Sequence, residues 1–303
     1  MVNLQFIVDG LLSGSMIGLG AIGVTLTYSI LRFSNFAHGD LMAWGTYSTL
    51  LVVGAIAAAF GQVAPIGPLS FGWPLIFAVV LGMGFTSVLA LFIDRILFAR
   101  LRAKGQMVIV VMASFGASMA LRNLLEFIFT SRPTYFNRAI QMAMPVGLGI
   151  RITPDQIALL AATALLVVGV HLVLTKTQTG RSMQAVSQNM ALARVVGIDV
   201  SGVIRVTWIV GSALACFAGV MVGVLVQIRP LMGMDMTLPM FAAAILGGVG
   251  SVPGAVVGGL IIGLAEAAAV QMVGAEWRLA MAFVILMAVL LIRPIGIFGV
   301  EER

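Results

Sequence analysis

Trp73–Phe98 reads WPLIFAVVLGMGFTSVLALFIDRILF, and from Trp73 to Ile93 it holds no charged residue. A helix rises about 1.5 Å per residue, so this run is about 30 Å long, the thickness of a bilayer's hydrocarbon core. In that core every backbone polar group must be satisfied, and a single run achieves this only as a helix. A barrel strand would be about ten residues long with alternating polarity, and no alternation is present. The stretch reads as a membrane-spanning helix.

The same pattern extends outward along the whole chain. Apolar runs lie at roughly 4–31, 40–60, 73–98, 106–129, 155–175, 203–228, 238–250, 254–273 and 277–293. Of 303 residues, 61% are hydrophobic and only 9% charged, with a mean hydropathy of +1.13. Soluble domains carry about a quarter of their residues as charges, so a soluble globular enzyme is excluded. Disorder is excluded because apolar surface is abundant, and a single-anchor protein because the runs continue almost from end to end. The expected fold is all-α, a polytopic membrane protein with 8–9 spans forming one transmembrane domain over 1–303. The first base is Arg32, so a cleavable signal peptide is not expected. The lone Cys216 lies inside an apolar run and gives no disulfide framework or thiolate metal site.

Residues 238–250 are too short to cross alone, and Leu246-Gly-Gly-Val-Gly-Ser-Val-Pro-Gly254 breaks a helix repeatedly. Either 238–273 is a re-entrant pair or two helices meet at a break, which must face protein or a cavity. The net charge of +6 comes from bases that mostly sit in short loops, where they set topology rather than bind nucleic acid. Arg95, Arg100, Arg102 and Lys104 cluster after the third span, and Lys176, Arg181, Arg194 and Arg205 after the fifth. Placing both clusters inside, with Arg32, Arg293 and Arg303, puts 11 bases inside and 5 outside (Arg132, Arg138, Arg151, Arg229, Arg278). The N-terminus is then outside and the C-terminus inside.

Close helix packing in lipid relies on small residues. Gly10, Gly14 and Gly18 form one stripe, Ala215, Gly219 and Gly223 a second, and Gly250, Gly254 and Gly258 a third. Ile30-Leu31-Arg32 followed by Asp40, and Gln227-Ile228-Arg229 followed by Asp235, end two spans of opposite direction. An inverted repeat would produce this pattern, and so would chance.

Little of the sequence points to catalysis. The two histidines, His38 and His171, cannot make a two-histidine zinc helix, and no Gly-Lys-Ser/Thr phosphate loop occurs. No metal site or catalytic residue is expected. Ser118, in Gly116-Ala-Ser118, with His171 loosely suggests a membrane hydrolase; a packing serine and an interfacial histidine is the plainer reading. Buried ionisable groups carry more weight because they are costly in hydrocarbon. Arg122 and Glu126 stand four apart and can pair, while Asp94 and Arg95 lie at a span's end. Glu266 has no base nearby in sequence, so it finds a partner on another helix, is protonated, or lines an aqueous path. In a proton-driven secondary transporter it would carry the proton.

Residues 176–201 form the most distinctive polar segment. Thr179 can cap a helix start, Met183, Val186, Met190 and Ala193 recur at helical spacing, and Gly197 ends the helix. The apolar face, without Trp or Phe, suits a protein groove better than a lipid surface; an ordinary connecting loop is the alternative.

Gly18-Leu-Gly-Ala-Ile-Gly-Val-Thr-Leu-Thr-Tyr28 and Leu31-Arg-Phe-Ser-Asn35-Phe-Ala-His38-Gly39-Asp40, then Gly45-Thr-Tyr47, resemble the opening of branched-chain amino-acid ABC transporter permeases, in particular the shorter, H-type member of their permease pair. Thr179 to Asn189 and Gly197-Ile198 resemble the coupling segment of that family, and Leu246–Gly259 and Arg293–Gly299 its C-terminal patterns. The resemblance implies an inner-membrane permease with no cofactor of its own. Its partners would be a second, paralogous permease, two cytoplasmic ATPases that hold ATP and Mg, and a periplasmic binding protein. It implies that Gly180, Arg181, Ala185, Asn189, Ala193, Arg194, Gly197 and Ile198 belong to the ATPase-coupling surface. Asn35, His38, Asp40 and Glu266 are the candidates for path or gate. Relatives are similar to carriers of urea, amides and aromatic acids, so those substrates stand beside hydrophobic amino acids.

Overall fold

The computed structural model describes residues 4–299 except 62, 104, 138–140, 148 and 294. Lys104, Arg138, Pro294 and Arg303 therefore lie outside the described residues. Among the described residues, eight helices are long and apolar enough to cross a membrane. They are α1 (Gln5–Leu31), α2 (His38–Phe60), α3 (Trp73–Ile93, running on through a π-helical turn Asp94–Phe98 into α4, Ala99–Arg102), α5 (Met107–Phe129), α6 (Pro154–Lys176), α9 (Val200–Leu225), α11 (Val252–Met272) and α12 (Arg278–Ile292, entered through a 3-10 turn). The short helices α7 (Gln178–Gln188) and α8 (Met190–Val195) connect α6 to α9. The strands β1 (Met144–Gly147) and β2 (Ile150–Ile152) pair antiparallel between α5 and α6. The chain is an all-α polytopic membrane protein.

The span expected at 238–250 begins earlier, as α10 (Met232–Gly247), 16 residues with Pro239 inside. It turns back into α11 through 248–251, where Gly248 and Gly250 take φ of +95° and +94°. Ser251 Oγ accepts from the Gly254 N–H at 3.1 Å and caps α11. The break is tethered from two sides. Gly250 N–H donates to Thr25 Oγ1 of α1 at 2.7 Å, and Ile297 and Phe298 N–H groups donate to the Leu246 and Gly247 carbonyls at 2.8 and 3.1 Å. α10 and α11 are thus two helices meeting at a break that α1 and residues 297–298 tie to the bundle, with Val249 and Gly250 exposed at its tip.

The small-residue stripes are redistributed. Gly10 and Gly14 let α1 lie on α11, where a Cβ on either would sit 2.8 Å from the Leu264 or Leu260 Cα. The partner face on α11 is Gly259 and Gly263, and Gly18 meets Gly259. Gly254 and Gly258 face α10 at Gly247 and Ala243 instead. Gly250 belongs to the break and not to a helix stripe, because its positive φ places it outside α11. Gly219 receives Met42 and Thr46 of α2, and Gly223 receives Phe136 and Ile228 rather than another helix.

The helix contacts of the two halves follow a similar pattern. Residues 32–37 join α1 to α2 and residues 226–231 join α9 to α10. α1 packs on α11 as α9 packs on α3, α2 packs on α9 as α10 packs on α1, and α1 and α9 touch each other. Asp94, at the end of the third span, is buried and receives Arg102 Nη1 at 2.7 Å. α1 is the most enclosed span and α12 the least.

Candidate functional site

The starts of α2 and α10 meet at Gly39 and Gly233, well inside the bundle. Beside them three of the four path candidates gather on the 35–40 segment. Asn35 Oδ1 accepts from the Ala37 N–H at 3.2 Å, and Asn35 is 3% exposed. His38, the first residue of α2, is buried with its ring against Gly23 of α1; a Cβ there would lie 2.5 Å from the His38 Cε1. Asp40 is buried in the first turn of α2, where the helix dipole favours a negative charge. Its Oδ2 accepts from Ser118 Oγ at 2.5 Å. Asn35 Nδ2, His38 Nε2 and Asp40 Oδ1 have no hydrogen-bond partner among the described residues.

Helix α5 holds this segment through serines one turn apart. Ser114 Oγ accepts from the Phe36 N–H at 3.2 Å, and Ser118 binds Asp40 as above. The Phe36 ring lies between Phe115 of α5 and Phe241 of α10, at centroid distances of 6.1 and 5.2 Å. Ser118 is thus engaged with Asp40, and His171 is exposed on α6, so the two do not meet as a hydrolase would require. The Ser114 role was missed in the sequence; its signal is the four-residue spacing to Ser118 on one helix face. Arg122 and Glu126 do not form the expected ion pair among the described residues: Arg122 Nη1 points to Met234 Sδ of α10 at 2.6 Å.

Glu266 stands apart from this cluster. It is 1% exposed on α11, and Arg278 Nε at the start of α12 donates to its Oε2 at 2.9 Å. The partner on another helix that the sequence called for is Arg278, and Glu266 also lines a cavity. A further carboxylate unremarked in the sequence, Asp155, receives the Ser70 N–H and Gln141 Nε2, each at 2.9 Å, and so ties two connecting loops to the start of α6.

Residues 176–201 fold into two helices rather than one. Thr177, not Thr179, caps α7, its Oγ1 accepting from the Gly180 N–H at 3.1 Å. Asn189 interrupts the helix with extended backbone and caps α8, its Oδ1 accepting from the Leu192 N–H at 2.9 Å. Gly197, with φ of +85°, ends α8. The apolar face of the segment turns inward: Met183, Val186 and Ala193 are buried in the chain's own core. Gly180 is buried too, a Cβ there meeting the Leu174 carbonyl oxygen at 2.2 Å. The groove this face fits is therefore in the same chain. Arg32 strengthens the attachment by hydrogen-bonding the Ser187 carbonyl. Ala185 and Ile198 are half-buried. Left outward are Arg181, Asn189, Arg194 and Gly197, together with Leu192, Val195 and Val196, which the periodic pattern passed over. Asp199, just before α9, accepts from Ser201 Oγ at 2.5 Å and stands 3.6 Å from Arg205; the hydroxyl first, and then the Gly202 N–H, hold its carboxyl below the usual range.

Comparison with known proteins gives the family of the chain. The family described as branched-chain amino acid transport system / permease component matches residues 6–290. The high-affinity branched-chain amino acid transport system permease protein BraD of Pseudomonas aeruginosa is 32% identical over 99% of this chain and 96% of its own. The corresponding LivH of Escherichia coli is 30% identical over 99% and 96%. A probable LivH of Methanocaldococcus jannaschii is 28% identical over 99% and 94%. A solved structure, PsaBC from Streptococcus pneumoniae in complex with Fab, aligns over 96% of this chain and 94% of its own at 15% identity and a TM-score of 0.46, too low to carry an argument. With the family pattern covering nearly every helix, the chain belongs to the branched-chain amino acid transport system permeases.

Proposed function

We propose that the chain is the membrane-spanning permease of an ATP-binding-cassette importer, passing branched-chain or related hydrophobic amino acids delivered by a periplasmic binding protein. A second permease and two cytoplasmic ATPases complete the assembly, with ATP and Mg on the ATPases. The chain sits in the inner membrane, N-terminus in the periplasm and C-terminus in the cytoplasm. The observation that carries this reading is the α7–α8 element. It is locked to the bundle through Met183, Val186 and Ala193 and strapped by Arg32, yet turns Arg194, Leu192, Val195 and Val196 outward. An element built this way transmits a push from another protein to the spans instead of absorbing it. Nucleotide on the ATPases then shifts the permease between outward- and inward-facing states through different contacts in each. Asn35, His38, Asp40 and Glu266 serve as path or gate residues in this scheme.

The test is Arg194→Glu with Val195→Glu in the co-expressed, reconstituted complex. Ala193 is left alone because its side chain is 3% exposed and a charge there would disturb folding. ATP-driven leucine uptake should fall while the double variant inserts and elutes normally. Undiminished uptake would sink the coupling assignment, and uptake by the lone chain under a pH gradient would point to a secondary transporter.

A further inference from the structure

A cavity of about 510 Å³ lies at the end of the bundle where α1 begins, among α1, the start of α6, the end of α9, the first half of α10 and the facing ends of α11 and α12. One wall is apolar and compliant: Leu12, Met16, Met232, Met236 and Pro239. Methionine thioethers adapt to side chains of differing shape. The other wall carries charges of both signs. Arg278 is 42% exposed beside the buried Glu266, and Arg229 Nη2 sits 2.6 Å from Asp235 Oδ2. Asp9 and Glu276 add two carboxylates to the lining.

Two features of the charged wall call for a ligand. Glu266 Oε1 is buried without a hydrogen-bond donor among the described residues. A carboxylate oxygen in that position needs a donor, and an ammonium supplies one with charge assistance. Arg278 spends its Nε on Glu266 Oε2. A guanidinium has five donors in a planar fork, so its terminal nitrogens remain suited to a second carboxylate. A ligand with only a carboxylate would face the acidic groups, and one with only an ammonium would face the guanidiniums. Both charges next to each other, with an apolar body, match the wall.

We propose that this cavity binds a zwitterionic α-amino acid with an apolar side chain. The ammonium donates to Glu266 Oε1, the carboxylate accepts from the terminal nitrogens of Arg278, and the side chain rests on Met232, Met236 and Pro239. The site rests on the importer reading for its purpose: it is where a substrate released at this face is held before passage. Its existence is tested separately from uptake.

The full chain in lipid nanodiscs is assayed for equilibrium binding of radiolabelled L-leucine, with competitors that remove one element at a time. Leucinamide lacks the carboxylate, 4-methylpentanoate the ammonium, and glycine the side chain. Each should compete about tenfold or more weakly than leucine. Glu266→Gln and Arg278→Gln should each weaken leucine binding by a similar factor, and Arg278→Lys should recover part of the loss. Met236→Trp fills the apolar floor without touching the ion pair, so it should abolish binding in a normally eluting protein even where a charge variant fails to fold. Absence of leucine binding to the unmodified chain overturns the site. So does leucinamide competing as well as leucine, or binding that Met236→Trp leaves unchanged. Binding as described, with no ATP-driven uptake in the complete complex, overturns the importer reading and leaves the site standing. Uptake with no such binding does the reverse.

Discussion

Gly39 and Gly233 oppose each other so closely that a Cβ on Gly39 would lie 2.3 Å from the Gly233 carbonyl oxygen, and a Cβ on Gly233 would lie 2.2 Å from that of Gly39. The contact joins the starts of α2 and α10. Both obstacles are backbone atoms, which cannot swing aside as a side chain can. Gly39→Ala and Gly233→Ala should each destabilise the protein by about 1–3 kcal/mol, the usual cost of overpacking a filled interior. Thermal unfolding in mild detergent checks this; a midpoint unchanged by both substitutions would mean that the helices separate freely.

Ser118→Ala removes the hydroxyl donating to Asp40 Oδ2 and leaves both carboxylate oxygens of a buried residue without that partner. The expected cost is about 1–3 kcal/mol. Adding Asp40→Asn removes the charge and should restore part of the stability. A double-mutant cycle measures the coupling, and additive effects would show that the bond contributes nothing.

Asn189→Ala deletes the cap of α8, and Thr177→Ala that of α7, at about 1 kcal/mol each. Amide hydrogen exchange should rise at residues 190–195 in the first variant and at 178–182 in the second, with the spans unaffected. Unchanged exchange in both would show that burial of Met183 and Ala193 alone holds the segment.

The Asp199 carboxyl, held below its usual range chiefly by Ser201, strengthens the start of α9 in its ionised form. A depressed folded-state value contributes stability that is present above the ordinary carboxylate range and is lost as pH falls through the folded value. Because the carboxylate is exposed, its contribution should shrink with added salt. Proteolysis of the 196–205 region should therefore accelerate on acidification in the native chain. Asp199→Asn, already lacking the charge, should respond less; equal acid sensitivity in both would rule the carboxylate out.

The sequence alone determined the class and most of the span list, because the bilayer imposes a length and polarity that twenty uncharged residues display without reference to anything else. The same one-dimensional rule placed the break after Leu246, since glycine and proline act on their own backbone. What each helix touches was decided only in three dimensions. In lipid, apolar side chains favour no particular neighbour, so nothing local distinguishes Gly259 and Gly263, which meet α1, from Gly254 and Gly258, which meet α10. Likewise periodicity marked Met183, Val186 and Ala193 as one face but could not say whether the groove lay in a partner or in the chain itself. The path candidates divided for that reason too. Asn35, His38 and Asp40 are neighbours in sequence and stayed together, whereas Glu266 acquired Arg278 from the next helix, a pairing made by the turn at residues 273–277.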